Sequence, residues 1–171
     1  MKITKLHAII IALITLTALS SAAANRIYIK DFAIKPGETK IVEMYVESTK
    51  NVRSFQAAVI LPEGLTMDCE NVVLSDRASQ HIVYADSSGV NTYTVIAFSL
   101  SNASLDGRDG TVVEIPIIAS DDFTHSAIVE LKDILIGASD NTVLLIDGTD
   151  WCKAFVERPI APVATEPTGQ D

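Results

Sequence analysis

The residues able to do chemistry are few, and they are scattered. Beyond residue 25 the histidines are His81 and His125, each beside a polar stretch. Both are expected as solvated surface side chains. A hydrolase needs a nucleophile with a base beside it, or two placed carboxylates. The chain carries neither G-x-S-x-G nor H-E-x-x-H. Two cysteines and 3 dispersed histidines form no zinc pattern. Acidic residues are plentiful but fall in turns, where Asp is favoured for local hydrogen bonding. Asp106-Gly107-Arg108-Asp109-Gly110 and Ser120-Asp121-Asp122 offer oxygen ligands of the kind calcium takes. Their spacing matches no EF-hand loop, and Arg108 opposes a cation. Plain turns are expected there, with no resident metal or cofactor and no catalysis.

Sugar recognition draws on flat aromatics set along one face. Tyr28, Tyr45, Tyr84, Tyr93 and Trp151 are the candidates. They share no strand face at even spacing, so packing is expected of each. Tyr84 and Trp151 are the pair to test if the chain binds carbohydrate.

The elements around these residues begin after a leader. Lys2 and Lys5 precede an apolar run over residues 8–19, and Ala22 and Ala24 meet the A-x-A cleavage rule. The run is shorter than the ~20 residues of a spanning helix. Residues 1–24 therefore read as a secretory signal peptide, and no Cys follows to carry a lipid. The expected location is the periplasm, cell envelope or medium. The formal net charge of the whole chain is −9, and losing two lysines makes the remainder more acidic. Such a domain repels nucleic-acid phosphates and anionic lipid. Cys69 and Cys152 would then meet an oxidising compartment. One arrangement is a bridge stapling the C-terminal segment to the body; the other is two separate thiols.

The mature sequence reads as strand after strand. In residues 52–61, Phe55, Ala57, Val59 and Leu61 alternate with Ser54, Gln56, Ala58 and Ile60, the period of a strand with one face on a core. Pro62-Glu63-Gly64 stops that ladder. Further strands are expected at 26–34, 39–48, 65–74 in broken form, 81–85, 92–100, 111–119, 127–136 and 142–146. Pro116 inside one of them points to an edge or a bulge. Residues 149–156 suggest one more edge strand, and 159–171 a flexible tail. About nine short strands with regular turn signals and no amphipathic helix predict an all-β sandwich, a jelly roll of immunoglobulin-like appearance. Its expected span is 25–148, with 149–171 outside it.

The order Phe32…Pro36-Gly37-Glu38, Phe55-Gln56…Leu61-Pro62-Glu63-Gly64-Leu65, Ala97-Phe98-Ser99…Ser104 and Asp109-Gly110-Thr111-Val112-Val113…Ile115 resembles the cohesin domains. The cohesin-like domains of secreted proteins from Bacteroides-type bacteria are the nearest in pattern. These motifs are turn and core residues, so they speak for fold more than for function. The resemblance implies a nine-strand sandwich docking a partner protein, in cohesins a dockerin carrying calcium, through one sheet face. Gln56 and Ala58 on the central strand, with Tyr93, Val95, Ala97 and Ser99 on the 92–100 strand, are the expected docking residues. A monomer is expected. A polysaccharide ligand and a structural envelope role are the other two readings.

Overall fold

The computed structural model describes residues 25–146 and 151–157. The expected leader, and the tail from 158 onward, lie outside the described residues. Among the described residues eleven strands are present: β1 (Arg26–Ile29), β2 (Phe32–Ile34), β3 (Thr39–Glu47), β4 (Val52–Ile60), β5 (Leu65–Met67), β6 (Val73–Leu74), β7 (Ile82–Gly89), β8 (Thr92–Phe98), β9 (Thr111–Ala119), β10 (Ala127–Ala138) and β11 (Trp151–Val156). Two single 3-10 turns, Cys69–Asn71 and Asp76–Ala78, are the helical elements among the described residues. The count exceeds nine because the first and the 65–74 expected strands each break in two and the expected extra strand at 149–156 is present as β11. The expected 142–146 strand reduces to one bridge, Gly137 to Val143.

The strands form two sheets. One has the order β1-β3-β9-β5, with β6 also pairing β9; the other runs β2-β11-β10-β4-β8-β7. All pairings are antiparallel except β11 with β2. Alternation decides what each strand buries. Val42, Met44 and Val46 of β3 face Phe55, Val59, Val129, Leu131 and Ile136 of the other sheet, and all are buried. Full burial of one such side chain contributes ~1.5–3 kcal/mol, so this layer holds the sheets together. Phe123, in the β9–β10 loop, plugs one end of the core at 1% exposure.

The chain changes sheets at Lys30-Asp31. The carboxylate of Asp31 accepts the backbone N–H of Lys153 at 2.8 Å, which fixes where β2 meets β11. This last strand is not an edge, as expected from sequence, but lies between β2 and β10. Cys152 and Ala154 project from it into the core at 2% and 0% exposure. The sandwich therefore extends past residue 148.

Of the two arrangements open to the cysteines, separate thiols are the one found. Cys152 lies opposite Val129 in the six-stranded sheet. Cys69 starts a 3-10 turn beyond β5 of the other sheet, and its Sγ contacts the Met67 carbonyl at 3.9 Å. Burial, with Asp31 adding to it, pushes the Cys152 thiol up to about 12.

Ending the chain at residue 148 should strip β2 and β10 of a shared neighbour. We expect 25–148 to melt at least ~10 °C below 25–157, for a loss of several kcal/mol at ~2–4 °C each. Equal melting temperatures in a calorimetric comparison would show that β11 is dispensable.

Candidate docking face

Pairing register puts side chains of four adjacent strands into rows on the outer face of the six-stranded sheet. Tyr84 of β7 lies opposite Ile96 of β8, Ile96 opposite Gln56 of β4, and Gln56 opposite Leu135 of β10. The next row holds Ile82, Phe98, Ser54 and Gly137. On the other side come Asp86, Thr94, Ala58 and Lys132. At ~4.8 Å between strands each row is about 14 Å long. Apolar groups thus gather in two rows, and a row bearing both charges borders them.

Three local features shape this face. Tyr84 is 61% exposed and stacks on Phe98, with ring centroids 6.0 Å apart and planes at 19°. A one-residue bulge between Lys132 and Leu135, with Asp133 at φ 51°, lets both of those side chains point outward. Leu135 is 52% exposed as a result. Gly137 makes room for Ser54, because a Cβ there would overlap the Ser54 hydroxyl. Beside the rows, Arg53 donates to Asn102 at 3.2 Å and also to Asn141, tying two loops at one rim.

The docking residues expected from sequence separate on the structure. Gln56 and Ala58 have the outward register, though Ala58 is buried at 5% exposure. Val95 and Ala97 do not: both are 0% exposed, opposite Ala57 and Phe55 on the core side. Phe55 fills the core there, and only a small residue such as Ala97 fits next to it. Tyr93 lies opposite Val59 and packs against the core. Ser99 follows the end of β8 and accepts the Ala103 N–H at 3.0 Å. The outward set of β8 is instead Thr94, Ile96 and Phe98, the alternate set to the one expected.

Of the sugar candidates, Tyr84 is on this outer face. Trp151 begins β11 opposite Glu130, and its side chain lies outside the described residues. On the other sheet Tyr28 and Tyr45 stack with centroids 5.0 Å apart. Arg26 lies 4.3 Å from the Tyr28 centroid and Lys30 4.0 Å from that of Tyr45. No cation fits between rings so close, so each sits on an outer ring face. Both faces of both tyrosines are therefore occupied, which leaves no platform for a pyranose.

His81 also departs from expectation. It is 7% exposed, and neither ring nitrogen makes a well-formed hydrogen bond. Burial lowers its pKa, partly countered by the backbone of Arg53 and Ala78. Among the described residues no group of three acidic, His or Cys side chains is placed to hold a metal ion. No helix there is long and apolar enough to cross a membrane.

A two-sheet, all-β sandwich is the class this geometry defines. Solved structures narrow it to the cohesin-like fold. A non-cellulosomal cohesin from the archaeon Archaeoglobus fulgidus superposes with a TM-score of 0.65 and 17% identity over 80% of this chain and 93% of that one. The sixth cohesin of Acetivibrio cellulolyticus scaffoldin B, solved in complex with a Cel5 dockerin, gives 0.65 and 10% over 78% and 99%. A cohesin module of a Clostridium perfringens family 33 glycoside hydrolase gives 0.57 and 14% over 80% and 100%. No protein-family model and no curated protein matches the chain.

The buried imidazole sets a pH dependence. The unfolded chain binds the His81 proton near its ordinary pKa of about 6.5, and the folded chain only at lower pH. Stability from this group is whole above about pH 6.5 and falls as pH drops through that value. Urea midpoints at pH 7.5 and 5.0 should differ more for the wild-type chain than for His81→Phe. Equal differences would remove His81 from the account.

Proposed function

We propose that this chain is an exported, non-catalytic protein-binding module that takes a dockerin-like partner on the outer face of its six-stranded sheet. The observation that carries the reading is the Tyr84–Ile96–Gln56–Leu135 row, an apolar band across four strands beside a row holding Asp86 and Lys132. Several of the similar structures are complexes with dockerins, and that likeness supports the class of partner. The band is longer than the ~10–12 Å width of a helix, so a helix laid on it would meet apolar side chains along one stripe and charge along its flank. Export rests on the leader pattern of residues 1–24. The opposite sheet face is the less suited of the two, since its half-buried aromatics Tyr28 and Tyr45 are occupied by each other and by their own cations.

The test is capture by immobilised 25–171 from secreted and envelope fractions of the source cells, with eluates identified by mass spectrometry. We expect a protein with paired calcium-binding helices, lost with chelator. Tyr84→Ala should weaken capture about tenfold or more, the effect of ~1.4 kcal/mol or more at one interface anchor. Ile96→Arg should abolish it while leaving the melting temperature within a few degrees. Ala97→Arg should instead unfold the domain, because it puts a charge beside Phe55 in the core. Capture that survives both face variants, or a polysaccharide in place of a protein, would sink this reading.

A further inference from the structure

The 106–110 loop is built around a positive charge, and that charge belongs to the chain. Arg77, in the Asp76–Ala78 turn, points its guanidinium into the loop. Its Nε donates to the Asp106 carbonyl at 2.6 Å and its Nη2 to that of Gly107 at 3.1 Å. Its Nη1 donates to the carbonyls of Gly110 and Val46, each at 3.0 Å. Four carbonyl oxygens from two separate segments thus converge on one planar cation.

The backbone is bent to make this possible. Gly107 and Gly110 have φ of 70° and 136°, which turns their carbonyls inward, and a Cβ at Gly110 would sit 3.5 Å from Arg77 Cδ. The loop is pinned from outside as well. Asp106 donates its N–H to the Arg77 carbonyl at 3.0 Å, Val46 to Gly110 at 3.1 Å, and Ser48 to Arg108 at 2.8 Å. Burial works against the guanidinium charge, while Asp109 and Asp106 favour it. Converging carbonyls with carboxylates close by are the surroundings a hard divalent cation takes.

We propose that the 106–110 loop is a cation cage whose resident cation is the Arg77 guanidinium, so that the sandwich needs no divalent ion and accepts one there only when Arg77 is removed. The inference stands apart from the docking reading. It assigns any calcium dependence of partner capture to the partner.

Terbium is the probe, as an oxygen-seeking ion that emits when excited through a nearby tyrosine. Tyr28 is suitably placed, with its hydroxyl 3.5 Å from Asp109 Oδ1. In the full chain, Arg77→Ala should give tyrosine-sensitised emission that is lost on adding Tyr28→Phe, and calcium should raise its lowered melting temperature. The wild-type chain should give no Tyr28-dependent emission and melt identically in calcium and in chelator. Arg77→Gln repeats the test if Arg77→Ala does not fold, and the wild-type measurements decide in any case. Tyr28-dependent emission from the wild type, a chelator-lowered wild-type melting temperature, or a folded Arg77 variant without emission would each overturn the proposal.

Discussion

The packing of Phe55 between small and large neighbours sets the parity of the whole six-stranded sheet. It lies opposite Ala97 on one side and Ile136 on the other. A large ring in the core needs a small residue beside it, because interiors are close-packed and tolerate neither overlap nor void. Once Phe55 and Ala97 face inward, Gln56 and Ile96 must face outward. A slip of one residue in β8 would exchange the two sets and bury Thr94 in the core. The proposed docking face is thus the reverse side of a packing decision made in the interior.

Much of this fold was legible in the chain. Period-two patterning located the long strands, since half-buried strands must alternate. The Pro36-Gly37 and Pro62-Glu63-Gly64 turns were legible for the same kind of reason: Pro and Gly limit what a backbone can do. The inside and outside of β8 were not. Both of its sets are apolar, so alternation shows the period without the phase, and bulk misled because Ile96 and Phe98 look like core. The phase comes from β4, a long-range partner. The interior place of β11 was hidden likewise, since six residues after a polar stretch resemble an edge until their neighbours are known. His81 looked solvated for want of any sign that the turn before β7 folds over it.

The two ends of the docking rows differ in how they are held. β10 relies on a bulge to aim Leu135 outward, whereas β7 holds Tyr84 by stacking it on Phe98. A bulge fixes direction through the backbone and survives side-chain replacement. A stack depends on both rings. The Tyr84 end of the face is therefore more open to change in sequence, and the Leu135 end more constrained by the ladder beneath it.

The pairing of β11 with β2 joins Phe32 to Ala154, nearly the first described strand to the last. Such a contact closes a loop made of almost the whole domain, and folding slows as contacts of this kind accumulate. It also sets an order of events. During synthesis, β2 emerges long before its partner exists. The second sheet stays incomplete until the final strand is free. A protein arranged this way completes its second sheet only after nearly the whole domain has emerged.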